Sequence, residues 1–287
     1  MPVVLLMAVG VVAVSMSAPL AAAMTVPALA VAFWRNALGT LVIAPALRTD
    51  QLGQWRWMVA AGVALALHFG AWVPSLRLTS VASATALVCL QLGWVVAWEM
   101  LRGQRYPTSA LVGMVVAFGG VLVVSGVDVT VSRDAILGDL LALVGGIGTA
   151  AYMLIGAKVR ETTGTSTYTV VAYGTCAAVL GVVCLVSGQE LVGYDAKQWG
   201  LLLLLTVSAQ LLGHSVINHL LLRVSPTTVG LLLLLEVPGA ALLAAAFLDQ
   251  SPPLATYVGL AVILAGMALV IRVTNPTGDE MSDAAGR

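Results

Sequence analysis

Leu231-Leu232-Leu233-Leu234-Leu235-Glu236-Val237-Pro238-Gly239 is the stretch whose reading decides the fold. Five leucines run into a carboxylate, then into a proline that cannot donate a backbone hydrogen bond. Taken as a helix, 227–248 matches one bilayer thickness of about 20 residues, and Glu236 falls near its centre. A charge at that depth costs about 2.5–3.5 kcal/mol on insertion scales, so it is paired, protonated or functional. The other reading of Glu236 is structural, a carboxylate capping the backbone that Pro238 frees.

The surrounding chain has the same character. Of its 287 residues, 60% are hydrophobic and 9% charged, against about 25% charged in soluble domains. The composition predicts an all-α integral membrane protein. Formal net charge is zero, which leaves no electrostatic footprint for nucleic acid. Cys89, Cys176 and Cys184 lie inside apolar runs and read as small buried hydrophobes. The N-terminus is apolar with no basic flank, so it reads as a first span and not as a cleaved signal.

Ten windows are long and apolar enough to span: 3–21, 27–47, 57–76, 81–101, 108–127, 137–157, 166–187, 199–222, 227–248 and 254–271. Connectors are short. The tail at 273–287, with Asp279, Glu280 and Asp283, reads as disordered. On the side of the N-terminus fall Arg48, Arg56, Arg102, Arg105, Lys158, Arg160, Arg223, Arg272 and Arg287; on the other fall Arg77, Arg133 and Lys197. Nine against three puts both termini in the cytoplasm.

A shift of 146 residues, without gaps, sets His68 against His214, Arg77 against Arg223, Thr79 against Ser225 and Gly93 against Gly239. It also sets Gln104 against Gln250, Pro107 against Pro253, Gly113 against Gly259 and Gly120 against Gly266. Spans 3–5 thus repeat in spans 8–10. Spans 1 and 6 match weakly, and spans 2 and 7 hardly at all. A unit of five crossings, repeated in tandem, enters the membrane in opposite senses. The expectation is therefore ten transmembrane helices as a 5+5 inverted-topology repeat, residues 1–127 and 137–272, with substrate bound near the midplane between them. In the 146 register Glu236 faces Leu90, and Pro238 faces Leu92.

Pro27-Ala-Leu-Ala-Val-Ala-Phe-Trp-Arg35-Asn-Ala37, Leu235-Glu236-Val-Pro238 and the run from Pro253 through Gly259 to Gly266 resemble the drug/metabolite transporter superfamily, in its EamA-like branch. The resemblance covers nearly the whole chain. It implies a fold of ten helices around a central cavity, a bacterial plasma membrane, and secondary transport of small molecules, often as efflux. Where the family often carries Gly-Glu at the ends of spans 4 and 9, this chain has Gly103-Gln104 and Leu248-Asp249.

The candidate site follows from buried polar residues. Removing water disfavours a charged carboxylate, which suits Glu236 to carrying protons or binding an amine. Arg35 lies deep in the second span and wants a carboxylate ligand or a structural partner. His68 and His214 occupy matched positions and titrate near neutrality as a residue type. Gln210, His214 and Asn218 form one polar stripe, with His219 off it. Gln91, Trp94, Trp72, Tyr152 and Tyr173 are further candidates for the cavity, and Pro238-Gly239 for a hinge. Trp55, Trp57 and Trp199 read as interfacial anchors, and Glu99 as a solvated partner of Arg102 and Arg105. The stretch from Gly113 to Gly120 covers two turns on one face, for helix packing.

No phosphate-binding loop, H-E-x-x-H or G-x-S-x-G sequence occurs, so neither cofactor nor metal is expected. The expected partners are a small-molecule substrate, the lipid bilayer and a second copy in a homodimer. Two rival readings stand beside the transporter: an intramembrane enzyme built on the buried His and Glu residues, and a non-transporting scaffold.

Overall fold

The structure, a computed structural model, describes residues 3–126, 132–247 and 253–274. Helix makes up 83% of it, and no strand occurs among the described residues. Lipid offers the backbone no hydrogen-bond partner, so an apolar chain closes its bonds within each segment.

The helices are α1 (Val4–Ala23), α2 (Ala28–Ala46), α3 (Thr49–Ser75), α4 (Val81–Leu101), α5 (Thr108–Gly126), α6 (Arg133–Arg160), α7 (Thr165–Val186), α8 (Ala196–Leu220), α9 (Pro226–Phe247) and α10 (Leu254–Thr274). Eight are long and apolar enough to cross a membrane; α5 and α10 carry shorter apolar stretches, Thr108–Val123 and Leu254–Val270. Leu101, Val186 and Phe247 are among many large apolar side chains left exposed, as a lipid-facing surface requires. Residues from Asn275 on, and Leu248, Asp249 and Gln250, lie outside the described residues.

Helix α3 packs on α6 and α7, α2 on α7, and α1 on α8. Helix α4 lies between α6 and α9, α9 also touches α1, α8 touches α2, and α5 packs along α10.

Three helices depart from regular α geometry at one depth. Helix α8 runs as a π-helix over Thr206–His214. Helix α4 breaks at Cys89–Leu90 and α9 at Leu234–Leu235. At the breaks Leu90 N–H reaches Leu87 O and Leu235 N–H reaches Leu232 O, three residues back instead of four. Proline cannot be the shared cause, because only α9 has one near its break.

These elements correct the repeat register. A turn at 76–79 matches one at 221–224. Ser80 then accepts the Ser83 N–H and Ser225 the Thr228 N–H, both at 3.1 Å. Val81–Val88 matches Pro226–Leu233, the breaks follow, and the next segments open at Gln91 and Glu236. The shift over this stretch is 145, not 146. The counterpart of Glu236 is therefore Gln91 rather than Leu90, and that of Pro238 is Gly93 rather than Leu92. A gapless comparison anchored on the histidines cannot register a one-residue slip between them and the ends of α3 and α8.

Glycines set the closest contact. A Cβ on Gly113 would meet Gly266 O at 2.8 Å, and one on Gly120 would meet Gly259 O at 2.6 Å. A Cβ on Gly266 would come 2.4 Å from Ala117 N. Backbone thus lies on backbone between α5 and α10, the small-residue packing of membrane helices. A Cβ on Gly119 would meet nothing within 4 Å.

Gly266→Val is expected to lower the melting temperature of the purified protein by about 5 °C or more, since overpacking costs about 1–3 kcal/mol. Gly119→Val is the control, expected within about 1 °C of wild type. Equal losses in the two variants would contradict the contact.

Candidate functional site

The two breaks meet. The Cys89 thiol donates to Leu233 O at 3.3 Å, a carbonyl that the break in α9 takes out of its ladder. Around this point lies a cavity lined by Ser17, His68, Trp72, Gln91, Thr149, His214 and Glu236, with apolar wall from Val14, Val88 and Leu233. It offers about 20 Å³ to the centre of a water molecule, room for about one water. Ligand pockets for small molecules run to about 300–1,000 Å³, so this conformation is closed down around its polar groups.

Six helices deliver the polar groups: α1 Ser17, α3 His68 and Trp72, α4 Gln91, α6 Thr149, α8 His214 and α9 Glu236. Thr149 Oγ1 and the Gly145 carbonyl, both from α6, hold His68 on α3. Gly145 O lies 3.0 Å from His68 Nδ1. The Thr149 hydroxyl reaches the same nitrogen at 2.5 Å, so both contacts hold the ring through Nδ1 and leave Nε2 without a protein partner among the described residues. The approach needs glycine: a Cβ on Gly148 would sit 2.6 Å from His68 N, and one on Gly145 would sit 2.9 Å from Trp72 Cβ. His214 comes from the last turn of the π-helix, its ring 6.2 Å from that of His68 and 5.2 Å from that of Phe69.

Behind the cavity Arg35 is fully buried. Its Nε donates to Gln210 Oε1 at 2.7 Å and its Nη1 to Ser17 Oγ at 2.8 Å. Gln210 passes the order on, donating Nε2–H to Asn36 Oδ1 at 3.0 Å. The guanidinium lies 4.1 Å above the Phe69 ring, a cation–π contact strengthened by desolvation. Its Nη2 has no hydrogen-bond partner.

Arg35 and Glu236 lie within electrostatic reach of each other but form no ion pair. Among the described residues the ion pairs are Arg48–Asp50 and Lys158–Glu161, both exposed. No hydrogen bond to the Glu236 carboxylate occurs among the described residues either. Trp72 Nε1 and Gln91 Oε1 are also buried without partners. The site thus presents two unused donors, Arg35 Nη2 and Trp72 Nε1, beside two unused acceptors, Gln91 Oε1 and the Glu236 carboxylate. Buried polar groups in this state are costly unless something else binds them.

Not every candidate lies here. Tyr152 and Asn218 form a second buried cluster between α6, α7 and α8. Tyr152 Oη donates to Asn218 Oδ1 at 2.7 Å, and Asn218 Nδ2 reaches Thr169 Oγ1 at 3.3 Å. The stripe of Gln210, His214 and Asn218 is divided among three tasks: Gln210 holds Arg35, His214 lines the cavity and Asn218 joins the second cluster. Trp94 is 49% exposed, on the outer side of α4. Glu99 is no partner of Arg102 or Arg105, which corrects that expectation. It accepts from Tyr106 Oη and, at 2.6 Å, from Thr227 Oγ1, while Arg102 stacks on Trp98. Burial and the bond to Glu99 push the Tyr106 phenol up to about 12, so it keeps its proton for that bond at physiological pH. Ser17, Phe69 and Thr149 are site residues that sequence reasoning missed. A hydroxyl in an apolar span commonly bonds its own helix, so it carries no signal.

Polar bonds tie the first half of the chain to the second at both ends of the cavity. At one end Thr25 N–H donates to Gln198 Oε1 at 3.0 Å, and Trp34 Nε1–H to Leu191 O at 2.7 Å. At the other stand the Glu99–Thr227 bond and Gly164 N–H to Gln51 Oε1 at 2.9 Å.

Residues 136–272 match the EamA-like transporter family. An uncharacterized transporter of Archaeoglobus fulgidus is 25% identical over 198 residues, which are 68% of this chain and 68% of that protein. A crystal structure of a protein shares the fold at a TM-score of 0.75 and 17% identity, over 96% of this chain and 99% of its own.

Gln210→Leu removes the acceptor of a buried charge and is expected to cost about 1.5–3 kcal/mol, read as lowered thermal stability in detergent. Trp94→Leu is expected to stay within about 0.5 kcal/mol of wild type. If the two variants melt together, Gln210 does not hold Arg35.

Proposed function

We propose that this chain, which belongs to the EamA-like family of the drug/metabolite transporter superfamily, is a secondary exporter of small amino-acid-like or drug-like metabolites, coupled to protons and working by alternating access. The observation that carries the reading is the cavity where two broken helices meet, with an unpaired carboxylate on its wall and the half-used guanidinium of Arg35 behind it. Discontinuous helices at the midplane are how many secondary transporters expose backbone and charge to a substrate. Among the described residues no group of three or more His, Cys, Asp or Glu is placed to hold a metal.

Ten crossings as two inverted halves fit the packing. Exchanging α1–α5 with α6–α10 turns the α3–α6 contact into α8–α1, α4–α6 into α9–α1, and α3–α7 into α8–α2. The same exchange maps α5–α10, α2–α7 and α4–α9 onto themselves. Rocking of the halves would break the polar bonds at one end of the cavity while keeping those at the other. The loop charges favour cytoplasmic termini.

Substrate and proton would share the four unused groups. A substrate carboxylate suits Arg35 Nη2 and Trp72 Nε1; an amine suits Glu236 and Gln91. Protonation removes the negative charge of Glu236, in the field of Arg35 and beside His68 and His214, and so alters which open state is favoured.

Glu236→Gln in proteoliposomes is expected to abolish uptake driven by a pH gradient, by at least about tenfold, while substrate exchange without a gradient persists. The probe is a panel of radiolabelled amino acids and amphipathic cations. Gradient-driven flux equal to wild type would sink the proton-carrier role.

A further inference from the structure

A second hollow, which shares no lining residue with the cavity, has the build of a lipid site. It lies between the start of α3, the end of α4 and the last turns of α6, and measures about 850 Å³. Trp57, Trp98, Leu154 and Ile155 form its walls, and Arg102 and Lys158 stand at its mouth. Trp57 and Trp98 are 61% and 48% exposed, so the wall is open to whatever surrounds the helices.

The mouth is positively charged and only loosely engaged. The Arg102 guanidinium sits 5.1 Å from the Trp98 ring and has no hydrogen bond or ion pair among the described residues. Lys158 meets Glu161 at 2.9 Å, but both side chains are more than half exposed, and exposed pairs of this kind are weak and readily exchanged. The other nearby acid, Glu99, is held by Tyr106 and Thr227 and lines an adjoining hollow, which Arg102 and Lys158 also border, but not this groove. A tryptophan-lined groove at the end of a membrane bundle, with a cation stacked on one ring, matches the depth of a lipid headgroup. Basic pockets between membrane helices are a recurrent way to hold anionic headgroups.

We infer that this groove binds one anionic phospholipid, its phosphate between Arg102 and Lys158 and an acyl chain along Trp57, Leu154 and Ile155. Charge complementarity selects the headgroup, and the apolar wall selects a lipid over a soluble phosphate. The site is independent of the central cavity and of the transport reading.

The test compares full-length protein in nanodiscs of phosphatidylcholine alone and with about one third phosphatidylglycerol, reading melting temperature, and counts retained lipid by native mass spectrometry. Wild type is expected to keep one phosphatidylglycerol and to melt about 5 °C higher in the mixed lipid, as a ligand of the folded state requires. Arg102→Gln with Lys158→Gln should lose both effects. Leu154→Trp fills the groove without changing charge and should lose them too, which decides the matter if the double variant does not fold. Arg105→Gln, outside the groove, should keep them. Undiminished lipid retention in Leu154→Trp or in the double variant would overturn the site. So would an equal rise with glycerol phosphate in detergent, where the headgroup acts alone.

Discussion

The thiol of Cys89 and the carbonyl of Leu233 bind one helix break to the other, and the centre of the molecule depends on that bond being needed. In lipid a carbonyl released from its ladder has no water to turn to. Two helices can lose their regular bonds at the same depth only where protein shelters them. The breaks in α4 and α9 therefore face each other, and α6 closes over them. A Cβ on Gly146 would stand 3.0 Å from Val88 O, so glycine is what lets α6 come so near. Polar side chains follow the polar backbone: Gln91 and Glu236 are the first residues after the breaks.

The register of the breaks changes the meaning of Glu236. Set against a leucine, it would be a charge added to one half alone. Set against Gln91, it is one member of a pair with nearly the same shape, an amide in one half and an acid in the other. The two breaks thus place two acceptors at the cavity, and of these only the acid can lose or gain a proton. Arg35 breaks the symmetry further. Its Nε and Nη1 are fixed by Gln210 and Ser17, and its Nη2 is left over. Two hydrogen bonds and an aromatic ring beneath it fix the orientation of this guanidinium.

Much of the fold was legible in the chain, because charge is scarce and confined to loops. Arg35, His68, His214 and Glu236 stood out for the same reason. What stayed hidden has a physical pattern. Pro238 marks the neighbourhood of one break, but α4 breaks with no proline, under tertiary contact from α6 and α9. The π-helix of α8 carries no sequence signature, and which neighbour meets Gln210, His214 or Asn218 along α8 is set by the helices packed against it. Trp94 lies three residues from Gln91, a rotation of about 300°, and the missing arc is enough to turn it outward. Glu99 found a tyrosine and a threonine where the nearby arginines were the obvious partners, because Tyr106 folds back from the following loop and Thr227 arrives from the other half.

The glycine contact between α5 and α10 has a mechanical consequence. Side chains that interdigitate can slip by a notch, but backbone seated on backbone at Gly113–Gly266 and Gly120–Gly259 has no softer layer to shear. These two helices supply no residue to the cavity, and they sit at the ends of their respective halves. If the halves rock as proposed, this contact is the one least able to slide, and it sits where a pivot between them would have to be.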